Sequence, residues 1–340
     1  MNADTGVILF EKEPHKQCFP ASITKIATAL YALEHLNLSH IVTVSAESLR
    51  KKPPKKDWST VPSFWLETEG TSAGLVKGSQ YSVEALLHGL MLVSGNDAAN
   101  ALAETISGSV LTFIDHLNTY LSDAGCLRTH FCAPHGLHHP EHLTTAYDMA
   151  ILTRKALQNP KFREIVSKQK YREWNQANQL LRAGPFFYPK AIGVKTGFTS
   201  LAGYNLVAAA QHEGRTLIAV VLGCEKREER YLDAISLFET AFTEQKIHRV
   251  LFRQSTVLSK ELEGGKNPLS AVLTKELAID YYPSEEPLIQ AKILWKIPPL
   301  PILKGTQVGE LQLSDGQSSP LITSSNVDRT FIHFLKSLFE

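Results

Sequence analysis

The sequence predicts an α+β protein with a helix-rich first domain over residues 1–248, a small all-β domain over 249–326 and an amphipathic helix over 327–340. Three observations carry this. Apolar residues recur at helical spacing in several mid-chain stretches, and two β-rich apolar runs stand side by side between Tyr204 and Cys224. Beyond residue 248, glycines and prolines punctuate the chain at short intervals around brief apolar segments. A chain of 340 residues also exceeds what one hydrophobic core usually serves, so two domains are expected.

The turn-forming Asn2-Ala3-Asp4-Thr5-Gly6 precedes the apolar run Val7 to Phe10, which reads as the second strand of a hairpin whose first strand lies upstream of Met1. After Pro20, Ile23, Ile26, Leu30 and Leu33 mark one face of a buried helix beginning near Ser22. Lys51 to Gln80 has no sustained period and carries Pro53-Pro54 and the aromatic residues Trp58, Phe64 and Trp65, the signature of a long surface excursion. Val83, Leu86, Leu87, Leu90 and Met91 form a second helical stripe that stops at Ser94-Gly95-Asn96; a third helix, capped by Asn96 or Asp97, continues through Ala98, Leu102 and Ile106. The runs on either side of Gln211-His212-Glu213-Gly214-Arg215 are an antiparallel pair joined by a polar turn, followed by a helical stripe from Tyr231 to Phe242. In the second domain, strands are expected within Glu276–Tyr281, Ile289–Ile297 and Val308–Leu313. From Val327 onward, Phe331, Phe334, Leu335, Leu338 and Phe339 share one helical side, which suits either packing on the β domain or a peripheral membrane contact.

The net charge of +1 with 20% charged residues lacks the basic surplus of a nucleic-acid binder, so no nucleic-acid partner is expected. No apolar run reaches the ~18–20 residues of a membrane span, and the first ten residues carry no signal peptide. Cys18, Cys126, Cys132 and Cys224 are too scattered for a disulfide framework, although Cys126 and Cys132 are close enough in sequence to pair.

The chemistry is concentrated in three short motifs in a fixed order: Ser22-Ile23-Thr24-Lys25, Ser94-Gly95-Asn96 and Lys195-Thr196-Gly197. They match the S-x-x-K, S-x-N and K-T-G set of serine acyltransferases that recognise β-lactams. On a helix, residues i and i+3 share a face, so Lys25 lies beside Ser22 and takes its proton if burial strips the amine of charge. A serine at a helix start also has free backbone N–H groups nearby for an oxyanion. Ser94 can pass a proton to a leaving amine, Asn96 can both donate to and accept from a substrate amide, and Lys195 can steer a carboxylate. Gly197 lets a peptide lie along the strand edge. Two-step acyl transfer with water as second acceptor follows.

Phe19-Pro20-Ala21-Ser22-Ile23-Thr24-Lys25, Leu92-Val93-Ser94-Gly95-Asn96-Asp97-Ala98, Pro134-His135-Gly136-Leu137 and Val194-Lys195-Thr196-Gly197-Phe198-Thr199 extend the likeness. With them the chain closely resembles the low-molecular-weight penicillin-binding proteins, the serine-type D-alanyl-D-alanine carboxypeptidases (peptidase S11-like). The resemblance implies a penicillin-binding/β-lactamase-like catalytic domain with a β-rich second domain. It implies Ser22 as nucleophile, Lys25 as acylation base, and Ser94, Asn96 and Lys195 as the remaining polar site. Thr196, Gly197 and Phe198 would bind substrate, with the N–H groups of Ser22 and Phe198 as the oxyanion hole, and Arg230 would meet the substrate's terminal carboxylate. The implied substrate is the peptidoglycan stem peptide and the implied inhibitors are β-lactams, with no cofactor and no metal, in the periplasm or cell envelope. Phe198 departs from the small polar residue or histidine usual after Lys-Thr-Gly. The run His135 to His142 invites a zinc reading, but Pro140 breaks any helix that would set His138 and His142 on one face. A β-lactamase would add a Glu-x-x-Leu-Asn before Lys195, which is missing there; the other alternative is a module that binds wall peptide without catalysis.

Overall fold

A computed structural model describes residues 1–54 and 60–330, so Trp58 and most of the predicted C-terminal helix lie outside the described residues. The chain forms two compact units, Met1–Thr243 and Glu244–Glu340.

In the first unit, a 3-10 turn over Ala21–Thr24 runs into helix α1 (Lys25–His35). Strands β1 (Ile41–Thr43) and β2 (Gln80–Ser82) pair antiparallel and bracket the long excursion. Helix α2 (Val83–Leu92) begins at Ser82, whose hydroxyl accepts from the Ala85 N–H, an ordinary serine cap. Helix α3 (Asn96–Ser107) begins differently from expectation, since Gly95 holds the cap position without a side-chain bond. Asp97 is turned away to the excursion instead, where its carboxylate accepts from the N–H groups of Ala73 and Leu75 and from the Ser72 hydroxyl. Helices α4 (Val110–Asp123), α5 (Ala146–Gln158) and α6 (Pro160–Ser167) complete the cluster, and β3 (Lys170–Tyr171) and β4 (Trp174–Asn175) form a short hairpin.

The sheet that matters for function is antiparallel, in the order β5 (Ala191–Thr199), β6 (Gly203–His212), β7 (Arg215–Cys224). Its β6 strand reads as one apolar run because both faces are covered. Val207 and Ala209 join the core of the helical cluster, whereas Leu206, Ala208 and Ala210 pack with Tyr231 and Phe238 of helix α7 (Glu229–Phe242). Each large buried side chain there contributes about 1.5–3 kcal/mol. The expected N-terminal hairpin strand is not formed. Asn2 bridges to Leu217 at the sheet's edge, while Val7, Ile8 and Phe10 are exposed and carry no strand pairing, the Asn2–Gly6 turn having already carried the chain off the sheet.

The second unit is all β. Strand β8 (Ile247–Phe252) starts inside the stretch expected to close the first domain, because its partner is β11 (Leu277–Tyr281) in this unit. Between them in sequence come β9 (Val257–Lys260) and β10 (Leu269–Leu273), and after them β12 (Ala291–Trp295), β13 (Gln307–Leu313) and β14 (Ser318–Thr323). These form a five-stranded sheet in the order β12-β13-β14-β10-β9, and Leu269, Ala271, Leu273, Val308, Leu311 and Leu321 alternate inward to make its core. The predicted helix does not begin at Val327: Val327 bridges to Ile302 and Arg329 to Gly265, so this stretch is used for pairing. Among the described residues, no helix is long and apolar enough to cross a membrane.

Candidate active site

Ser22 lies in the 3-10 turn, one step before α1, not in the α-helix proper. The turn is held from three sides. The Thr24 hydroxyl donates to the Ala21 carbonyl at 2.8 Å, and His142 Nε2 lies 2.8 Å from the same hydroxyl. His142 Nδ1 accepts from the Cys132 N–H at 2.9 Å, so the ring proton sits on Nε2 and the order of donation is His142 to Thr24 to Ala21. From the sheet, the buried Asn205 amide donates to the carbonyls of Phe19 and Pro20, both at 2.9 Å, and accepts from the Gly223 N–H at 2.7 Å. The third contact is Gly136, where a Cβ would fall 1.9 Å from the Ala21 carbonyl oxygen; its φ of +90° is also one that glycine adopts freely.

Lys25 is fully buried, and its Nζ lies 3.0 Å from Ser22 Oγ, 2.7 Å from Asn96 Oδ1 and 2.7 Å from the His135 carbonyl oxygen. Burial, with the Lys195 charge as a second cause, holds its pKa well below the ordinary lysine range. A neutral amine has two hydrogens and one lone pair. The two shorter contacts end on pure acceptors and take the hydrogens, which leaves the lone pair for the Ser22 hydroxyl proton.

The Lys195-Thr196-Gly197 motif lies within β5, which continues to Thr199. A Cβ on Gly197 would meet the Pro20 carbonyl oxygen at 2.8 Å and the Ser22 and Ile23 nitrogens at 3.1 and 3.2 Å, so the strand runs against the nucleophile's turn. Lys195 Nζ donates to the Thr196 carbonyl at 3.0 Å, and burial followed by the Arg230 charge lowers its pKa to about 7. Ser94 has a left-handed φ of 64°, and its buried hydroxyl has no hydrogen-bond partner among the described residues. An unpaired buried hydroxyl at this position is free to meet a substrate group. Phe198 is 52% exposed and stacks on Tyr204 at 4.3 Å.

Arg230, expected to meet the substrate's terminal carboxylate, packs beneath the strands. It is 5% exposed, with Nη1 donating to the carbonyls of Gly197 and Asn205 at 3.1 Å and Nη2 to the Tyr231 hydroxyl. Its Nε is buried with no partner among the described residues. The side chain is thus engaged beneath β5 and β6. Arg230 stands in the first turn of α7, and only the packing of that helix on the sheet, which spacing does not show, decides which carbonyls its donors meet.

The family model of the D-alanyl-D-alanine carboxypeptidases, peptidase S11, matches residues 1–226. The chain belongs to this family. It is 30% identical to the D-alanyl-D-alanine carboxypeptidase DacF of Bacillus subtilis over 98% of this chain and 86% of the relative. It is 32% identical to DacD of Escherichia coli over 96% and 85%. Among solved structures it is similar to penicillin-binding protein 6B of Escherichia coli, with a TM-score of 0.67 and 28% identity over 95% of this chain and 93% of that one. Penicillin binding protein 5 of Haemophilus influenzae superposes with a TM-score of 0.65 at 27% identity over 97% and 96%. The carboxypeptidase family and the α+β penicillin-binding fold are those expected from the motifs.

His142, His135, Thr24 and Asn205 are the site residues that sequence reasoning missed. Thr24 and His135 stood inside the motifs, His142 closed the His-rich run and Asn205 is a lone amide inside an apolar strand, but spacing gave none of them a role. His135 joins the site through its backbone carbonyl, while its ring is pinned between the Leu137 N–H and the Phe64 carbonyl.

Proposed function

We propose that this carboxypeptidase removes the terminal D-alanine of peptidoglycan stem peptides through an acyl-enzyme on Ser22. Lys25 takes the hydroxyl proton as Ser22 Oγ attacks the carbonyl between the two D-alanines. The developing oxyanion is received by the N–H groups of Ser22 and Phe198, a pairing supported by the close approach of β5 at Gly197 to the turn. Ser94 passes the proton to the departing amine, and Asn96 and Thr196 hold the substrate's amide and carboxylate ends, with Lys195 supplying charge nearby. Water then attacks the ester and Lys25 again takes the proton. β-Lactams enter the same first step and are released slowly. The single observation that supports this most is the fully buried Lys25 amine 3.0 Å from Ser22 Oγ with two other acceptors holding its hydrogens.

In this reading Arg230 is a positioning residue that holds the Gly197 and Asn205 carbonyls and adds positive charge beneath Lys195. Catalysis is assigned to the first unit. The protein works in the cell envelope on the periplasmic side, with a peripheral membrane contact through the apolar residues after Thr330. The central test is D-alanine release from an N-acylated Lys-D-Ala-D-Ala peptide by the native chain, by Ser22→Ala and after penicillin treatment. Release that survives the substitution would overturn the assignment. Liposome flotation with and without residues 331–340 tests the membrane contact, and equal flotation rejects it.

A further inference from the structure

The His-rich stretch 135–142 divides in an unforeseen way. His142 and His135 have both ring nitrogens engaged by protein groups, as described above. What the fold gathers instead is Cys132, His139 and Glu141, one ligand atom from each lying within 4.8 Å of the others. We propose that these three residues form a binding site for a zinc-class divalent cation, distinct from the serine acyl-transfer site.

The donor set suits a borderline-soft ion: a thiolate, an imidazole and a carboxylate are the three protein ligand types of zinc, and the fourth position stays open to water. Bonds of about 2.0–2.3 Å would draw the donor atoms to roughly 3.5 Å apart. Closure by up to about 1 Å is needed, and the exposed Glu141 side chain is the member freest to turn toward the half-buried Cys132 and His139. The backbone under them is already held. The Cys132 N–H donates to His142 and its carbonyl accepts from the Ser63 hydroxyl. The His142 N–H donates to the His139 carbonyl at 3.0 Å, closing the turn that carries the other two ligands. The Glu141 N–H reaches His139 Nδ1 at 3.2 Å, a weak contact; a cation on Nε2 would move the ring proton to Nδ1 and release it. Cys132 gives up its thiol proton to solvent on binding.

The cation would clip a loop whose inner groups touch the catalytic turn, through His142 to Thr24 and through the His135 carbonyl to Lys25. The test uses the untagged, reduced full chain, stripped by chelator and titrated with Co2+. One equivalent should produce thiolate-to-cobalt charge-transfer absorption in the near ultraviolet with the visible bands of a tetrahedral ion, and Zn2+ should displace both. Cys132→Ser should abolish the charge-transfer band, while His139→Ala and Glu141→Gln should weaken binding at least about 10- to 100-fold. Cys18→Ser and Cys224→Ser should leave the spectrum unchanged. Fluorescent-penicillin labelling identifies folded variants, and the exposed Glu141 keeps the test open if Cys132→Ser does not fold. Absence of the charge-transfer band, its survival in Cys132→Ser, or undiminished affinity in Glu141→Gln would overturn the proposal.

Discussion

Gly197→Ala isolates the packing of β5 on the nucleophile's turn. The added methyl would lie 2.8 Å from the Pro20 carbonyl oxygen, about 0.6 Å inside the 3.4 Å at which ordinary contact begins, and 3.1 and 3.2 Å from the Ser22 and Ile23 nitrogens. All three neighbours are backbone, so no side chain can swing away. The Asn205 amide also ties Phe19 and Pro20 to the sheet, so the strain is relieved only by moving β5 and the turn apart by about half an ångström. That displacement acts on the oxyanion geometry directly. Since a misplacement of about 1 Å costs roughly 100-fold, acylation by a fluorescent penicillin should slow by about 10- to 100-fold, equivalent to ~1.4–2.7 kcal/mol. The overpacking should cost a further ~1–3 kcal/mol of stability. Stopped-flow acylation and urea denaturation on the same preparations measure both. Acylation at the wild-type rate would mean that the strand does not set the oxyanion geometry.

Acylation should depend on pH through both lysines. Lys25 is active when neutral, so the rate rises with pH through a pKa well below the usual lysine range; Lys195 loses its charge above about 7, so peptide KM should worsen there, and a KM flat from pH 6 to 8 would contradict this. Arg230→Ala should lower peptide turnover and penicillin labelling together, because the guanidinium braces Gly197 and Asn205; loss confined to the peptide would restore the carboxylate-binding role. The His135 ring is buried neutral with its pKa pushed down to about 3, so the unfolded chain takes up a proton near pH 6.5 that the folded chain does not. The stability this ring contributes is therefore fully present above about pH 6.5 and is lost toward about pH 3, by ~2 kcal/mol at pH 5; the drop in urea midpoint between pH 7 and 5 should shrink by that share in His135→Gln, with the buried His142, whose pKa is also lowered by burial, supplying a further part.

Much of the reaction was legible in the chain itself. Ser22 and Lys25 are one helical turn apart, and a spacing of three residues survives whether the turn is 3-10 or α, which is why the pair could be read without a fold. The strands around residues 213–214 and the short-strand texture after residue 248 were equally local. The expected hairpin strand at Val7–Phe10 and the helix start at Val327 failed because tertiary pairing, of Asn2 with Leu217 and of Val327 with Ile302, overrode the local pattern. Arg230 and the metal-ligand trio illustrate the same limit. Local spacing decides which groups the chain can present within a turn or strand; only tertiary burial decides which of them lose water. The loss of water makes Lys25 a base, while the path of the folded chain turns Arg230 inward and gathers Cys132, His139 and Glu141, because desolvation and donor geometry depend on neighbours that local spacing does not show.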